Sequence, residues 1–196
     1  MPTSSEARQS SPPPRGKTVR KRARVLSSRQ VFAGRVFSVR RDRVSEPGGV
    51  IAVRDIVLHP GSVVVLPVFS TGEILLIRQY RHAARAFLWE LVAGRVDAGE
   101  SPAQAAHREL AEETGYAARR LRKLLEIFPS PGFVSERMCI FSATGLVPGA
   151  ARPEDDERIF ARRFSLAAAE RMIRRGRLRD AKSIAAILFF ARFARH

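Results

Sequence analysis

"GRVDAGESPAQAAHRELAEETGY", Gly94 to Tyr116, gathers five acidic side chains (Asp97, Glu100, Glu109, Glu112 and Glu113) in a chain whose formal net charge is +16. Ser101, followed by Pro102 and then by Gln104 three residues on, has the form of a capping box with proline at the first helical position, and Gly115 supplies a stop. A helix is therefore predicted between them. A rotation of about 100° per residue puts Glu109, Glu112 and Glu113 within an arc of about 100°, beside an apolar stripe of Ala103, Ala106 and Leu110. Like charges four residues apart, as at Glu109 and Glu113, destabilise an isolated helix by roughly a few tenths of a kcal/mol. No lysine lies in the helix to offset them, although Arg108 can neutralise part of the charge or fix a glutamate rotamer. Hard divalent cations prefer clustered carboxylates, and Mg²⁺ takes one or two of them together with waters and substrate phosphates. Two readings follow: a metal-phosphate site, or a solvated acidic helix face.

Working outward, 196 residues with 45% hydrophobic content can build one domain with a sizeable core. The single cysteine, Cys139, excludes an intrachain disulfide and reads as a buried structural thiol. No apolar run approaches the roughly 18 residues that span a membrane, so a soluble, reducing, cytoplasmic setting is expected. Residues 1–30 hold eight Lys or Arg and one Glu, 8 − 1 = +7 of the total charge, with few large apolar groups. Residues 1–28 are expected to be a disordered basic tail. Such a tail suits nucleic acid or another polyanion, but no aromatic residues interleave its cations, so no stacking platform supports that reading.

Residues 29–58 follow as N-terminal strands: alternating runs Val36 to Val44 and Val50 to Leu58 flank a Pro-Gly-Gly turn and predict a hairpin. Residues 59–196 form the main domain. "SVVVLPVFSTGEILLIRQY" gives two strands, the first continuous enough to be buried on both faces. "LRKLLEIFP", "RMCIFSATGL" and "RIFARRFS" read as further strands, and helices are expected near Leu166 to Arg174 and Ala181 to Arg195. The fold class is α/β, a mixed sheet covered on both sides.

Gly94, five residues, Glu100, seven residues and then "RELAEETGY" resembles the Nudix box, the loop-helix motif of enzymes that hydrolyse nucleoside diphosphates linked to another moiety. Further segments, "RDIVLHPGSVVVLPV", "LLIRQYRHA", "LWELVAGRVDAGE", "FPSPGFVSERM" and "GRLRDAKSIAAILF", resemble the ADP-ribose pyrophosphatase branch from roughly Phe32 to Phe193. The box departs from the usual pattern at Tyr116, where an aliphatic residue is common. The resemblance implies a Nudix-type α/β/α sandwich preceded by a small antiparallel β-hairpin, and Mg²⁺-dependent hydrolysis of ADP-ribose to AMP and ribose 5-phosphate, with Mn²⁺ as the other candidate ion. It implies Glu109, Glu113 and the Ala93 carbonyl as metal ligands, Glu112 as a further ligand, and Arg108 as the group that orients the carboxylates. From the loop "PEDDERIF", Glu157 and Asp155 resemble the family's two loop acids, one acting as general base or completing a metal shell. Strands before the core resemble those that pair with a partner subunit, which implies a homodimer.

Around that site, Arg54 and Arg81 are candidates to pair with phosphate or stack on adenine, or are ordinary surface arginines. Glu90 could accept a hydrogen bond from a ribose or adenine group, or be a strand carboxylate. Pro131 and Gly132 form a turn that could shape the terminal-ribose pocket, with Glu136 adding a carboxylate; a plain loop is the competing reading. Other sugar nucleotides or dinucleoside polyphosphates remain alternative substrates.

Overall fold

The computed structural model describes residues 22–152 and 158–194. Its chain opens with an antiparallel sheet of β1 (Arg24–Ala33), β2 (Ser38–Ser45) and β3 (Ile51–Leu58), in that order. Strands β2 and β3 are the predicted hairpin. β1 corrects the expectation of a tail running to residue 28, because Arg24 to Ser28 already pair with Asp42 to Ser45. Composition missed this strand because almost no apolar side chain is buried along it; a backbone ladder to β2 holds it. The buried Asp42 adds a side-chain tie, accepting hydrogen bonds from Ser28 Oγ at 2.6 Å and from Arg40 Nε at 3.1 Å.

The core is built on β4 (Ser62–Pro67), buried along its whole length. Its alternate side chains serve two layers. Val64 and Leu66 face a cluster with Leu166, Ala169, Ala186 and Ile187, whereas Val63 and Val65 face Ala105, Ala106 and Leu110. This is the reason for the unbroken apolar run at Val63 to Leu66: both faces of the strand are covered. β5 (Glu73–Arg81) follows, then a single 3₁₀ turn, β6 (Ala86–Glu90) and β7 (Val92–Arg95). After α1 (Pro102–Thr114) come β8 (Tyr116–Ile127), β9 (Met138–Pro148) and β10 (Phe160–Ser165), closed by α2 (Leu166–Arg174) and α3 (Ala181–Phe189). One sheet has the order β7-β4-β9-β8 with β4 and β9 parallel, and another has the antiparallel order β10-β5-β6. The mixed sheet between helical layers is the expected α/β/α sandwich.

Two local readings change. Ala103 is exposed, and the apolar face of α1 is made by Ala105, Ala106 and Leu110, because the helix lies against β4 and β7 slightly rotated from the predicted stripe. The closing helix ends its regular part at Phe189 and continues as a wider π-type turn over Phe190–Ala194. Cys139 is buried in β9, and burial pushes its thiol up, as expected for a structural residue. No helix among the described residues is long and apolar enough to cross a membrane.

Candidate active site

Helix α1 starts as predicted. Ser101 Oγ accepts from the Gln104 amide at 3.3 Å while Gln104 Oε1 accepts from the Ser101 amide at 2.9 Å, and Gly115 ends the helix at φ 72°. The fixed start sets which side chains face β7. Pairing of Gly94 with Val63 and of Ala93 with Val64 lays β7 along the core strand. There the Glu109 carboxylate rests directly on Gly94, so that a Cβ at this position would occupy the carboxylate's own space. Glycine is required at Gly94 for close approach, not for an unusual backbone angle.

Arg108 is the hub of the acidic cluster. Its Nε and Nη2 donate to the two oxygens of Glu100 at 3.0 and 2.9 Å, and Nη1 donates to Glu109 at 2.7 Å and to Glu112 at 3.1 Å. Nη2 also donates to the Arg95 carbonyl at 2.9 Å. A guanidinium has five N–H donors, and here all are engaged. Hydrogen bonds to Glu100 raise the Arg108 pKa against the opposing effect of burial, while those bonds hold the Glu100 carboxyl below its usual range. The loop from β7 to α1 is closed by the same glutamate, whose Oε2 accepts from the Asp97 amide at 3.2 Å. Glu113 is buried at 5% exposure.

The donor chemistry fits a hard divalent cation: carboxylates on one helix face, one pressed against a glycine beside a strand carbonyl. Among the described residues no three acidic, His or Cys side chains converge on one point, since Arg108 holds Glu100, Glu109 and Glu112 around itself.

A cavity of about 300 Å³ opens beside Gly94, lined also by Ala93, Ser62, Glu136, Asp180 and Lys182. Glu136 accepts a hydrogen bond from Ser62 Oγ at 2.7 Å. The loop bearing Pro131 and Gly132 is exposed and is anchored to β3 by backbone bonds between Val57 and both Phe133 and Ser135. Arg81 and Glu90 meet as a bidentate pair, Nε to Oε1 at 2.8 Å and Nη2 to Oε2 at 3.0 Å. Lys182 Nζ donates to the same Glu90 carboxylate and also meets Asp180 at 2.9 Å. Burial at 1% exposure pushes Glu90 up, but the bonds from Arg81 and the charge of Lys182 outweigh it and the carboxyl lies below its usual range. The structure does not bring Arg54 to this cavity; it pairs with Glu46 across the hairpin at 2.7 Å. Asp155 and Glu157 lie outside the described residues.

Lys182 escaped the sequence reading. It stands in the closing segment "GRLRDAKSIAAILF" as one of four lysines in an arginine-rich chain, and only the N-cap at Asp180 and the Ser183 hydroxyl bond to the Leu91 amide at 2.7 Å show why it is aimed at the site.

A helix of carboxylates closed over a glycine-bearing strand, inside an α/β/α sandwich, is the arrangement that the resemblance to Nudix enzymes implied. The family model described as the NUDIX domain matches residues 58–187, and the chain belongs to this family of hydrolases. It is 37% identical over 167 residues to an ADP-ribose pyrophosphatase of Mycobacterium tuberculosis, a match spanning 83% of this chain and 80% of the relative. It is also 33% identical over 168 residues to the methanol dehydrogenase activator of Bacillus methanolicus, over 85% and 91% of the two chains. A crystal structure of an ADP compounds hydrolase superposes with a TM-score of 0.79 at 25% identity, covering 89% of this chain and 95% of that one.

Proposed function

We propose that the chain hydrolyses the pyrophosphate bond of ADP-ribose to AMP and ribose 5-phosphate, with Mg²⁺, or Mn²⁺ in its place, at the α1 carboxylates. The observation that carries the reading is the Gly94–Glu109–Arg108 arrangement, which sets the Glu109 carboxylate against the β7 backbone and ties it, with Glu100 and Glu112, to a single guanidinium. The substrate is supported by the names of the Mycobacterium relative and of the superposed hydrolase.

In this reading Glu109, Glu113 and the Ala93 carbonyl hold the ions, with Glu112 as a further ligand. When bound, such ions neutralise the diphosphate and lower the pKa of an attacking water. Arg108 keeps the glutamates in one orientation and Glu100 keeps the loop closed over them. Glu136, in the cavity lining, and Arg81, Glu90, Pro131 and Gly132, outside that lining and assigned by the family resemblance, bind and orient the two nucleotide ends. A carboxylate of the loop that contains Asp155 and Glu157 takes the proton from water. Arg54, on the N-terminal sheet, serves the site of a second copy in a homodimer. That sheet leaves Val25, Phe32, Ile51 and Val53 more than half exposed, a large apolar area for a three-stranded unit. A cytoplasmic location fits a chain with a single, buried thiol.

The test is AMP release from ADP-ribose and Mg²⁺ by wild type and Glu113→Gln, alongside a panel of sugar nucleotides and dinucleoside polyphosphates. Wild-type turnover that drops by about 100-fold or more in the variant is expected for loss of a charged group at a metal site. A folded wild-type chain that releases no AMP overturns the ADP-ribose assignment.

A further inference from the structure

The sheet β10-β5-β6 carries a surface that the hydrolytic site does not use. Its register sets Phe160, Arg78 and Trp89 in one row across the three strands, and the neighbouring row on the same face pairs Tyr80 with Phe87. Rings and guanidinium groups therefore alternate on one face. Ring centroids lie 6.3 Å apart for Trp89 and Phe160, 5.0 Å for Trp89 and Phe164, and 5.3 Å for Tyr80 and Phe87. Arg78 Cζ stands 5.2 Å from the centre of the Phe87 ring and Arg162 Cζ 5.4 Å from that of Phe164. Tyr80, Phe87 and Phe160 remain 46%, 55% and 60% exposed.

Two hollows lie on this face. One of about 300 Å³ is floored by Trp89 and Phe164 and ringed by Arg162, Arg171, Arg175 and Arg177. The other, of about 270 Å³, lies between Phe87 and Phe160 and is lined by Arg78 and Arg158. Neither is lined by an acidic side chain among the described residues, and none of these six arginines is in an ion pair with a described residue.

Exposed rings offer stacking to any base, and guanidinium forks with no ion-pair partner among the described residues suit phosphate oxygens. Two hollows joined by the Trp89–Phe160 contact offer more than a mononucleotide needs, and a base must be unpaired to reach a ring. A second copy seated here across a two-fold axis would set this arginine cluster against itself, which opposes self-association. We propose that this face binds single-stranded nucleic acid, with bases on Phe87, Trp89 and Phe160 and phosphates on the surrounding arginines. The inference stands apart from the reading of the hydrolytic site.

Trp89 is the chain's single tryptophan, so its fluorescence reports the face directly. The full chain is titrated with oligothymidylate of about fifteen nucleotides, long enough for one stacking platform, following both anisotropy of a labelled strand and quenching of Trp89 by an unlabelled one. Oligothymidylate quenches Trp89 and heparin, which has no bases, does not. Phe87→Ala and Phe160→Ala each weaken oligonucleotide binding by roughly tenfold, and Arg175→Gln with Arg177→Gln flattens the salt dependence. Three results would overturn the proposal. They are no binding at all, binding that survives the phenylalanine variants but is lost when the cations of residues 1–28 are neutralised, or phenylalanine variants that halve the particle mass without changing oligonucleotide affinity. The last would identify the face as a contact between copies.

Discussion

Replacing Gly94 by alanine isolates one contact at the acidic site. Gly94 is not among the glycines with positive φ, so alanine meets no backbone strain there. Its nearest obstacle is the Glu109 carboxylate, which occupies the space a Cβ would take. Either β7 shifts or the carboxylate leaves, and β7 is held by pairing with β4 in the centre of the core. Moving the carboxylate gives up the 2.7 Å bond from Arg108. A charge-assisted bond of this kind contributes about 1.5–3 kcal/mol, reduced to about 1–2 kcal/mol because the pair is partly solvated. For a chain of this size that is a loss of roughly 2–8 °C in Tm. The cost to catalysis is larger, since displacing a positioned group by about 1 Å lowers rate by about 100-fold. The assay is AMP release from ADP-ribose across a Mg²⁺ titration, with circular dichroism melting of the same samples. Adding Glu109→Asp, one methylene shorter, relieves the overlap, so the two substitutions combine less than additively in melting temperature. A Gly94→Ala protein with unchanged kcat/KM and unchanged Mg²⁺ dependence would refute the steric argument.

Arg108→Lys keeps the charge but leaves at most three donors for five acceptors and cannot hold Glu100 bidentately. Urea unfolding should show a loss of about 1–3 kcal/mol, corresponding to one or two partly solvated charge-assisted bonds, and activity should require more Mg²⁺; unchanged stability would remove Arg108 from the centre of the cluster. Asp42 gives a pH signature. The Ser28 hydrogen bond holds its carboxyl below the usual range, burial opposes this, and Arg40 adds to the lowering. A depressed folded pKa stabilises the protein above the ordinary carboxyl range, and this contribution is lost as pH falls through the folded value, below about pH 4. Asp42→Asn should therefore lose stability at pH 6 and much less at pH 3, measured by urea unfolding at both; an equal loss at both would rule out the ionised carboxylate as the cause.

What could be read from the sequence was whatever local chemistry writes into it. The helix α1 was legible from its cap because Ser101, Pro102 and Gln104 act on the backbone within one turn. The double-sided burial of β4 was legible from Val63 to Leu66, since only a strand covered on both faces tolerates such a run. β1 was not, because a strand held by backbone pairing needs no apolar pattern. The bidentate Arg81–Glu90 pair spans nine positions across the β5–β6 pairing, and Lys182 reaches the same carboxylate from 92 positions away through the packing of α3 on the core. The placement of Arg54 failed for the converse reason: Glu46, eight residues away across the hairpin turn, is a nearer partner than the site.

Formal charge around the cavity argues for what the site requires of its ligands. Glu100, Glu109, Glu112 and Glu113 carry −4, and Arg108 offsets one unit, leaving −4 + 1 = −3. Arg81 and Lys182 add +2, but Glu90 and Asp180 cancel it, +2 − 2 = 0. Arg95 and Glu136, which also line the cavity, cancel likewise, and Asp97 beside Arg108 adds −1, so these described groups leave no positive charge over to receive a diphosphate, even though the chain as a whole is strongly basic. The long-range field of the basic surface draws an anionic nucleotide toward the protein, while the carboxylates repel it at short range. Arg108 cannot resolve the conflict, because its five donors are already engaged. Divalent cations on the α1 carboxylates, as proposed for the hydrolysis, would offset this local excess of negative charge and so let the diphosphate approach.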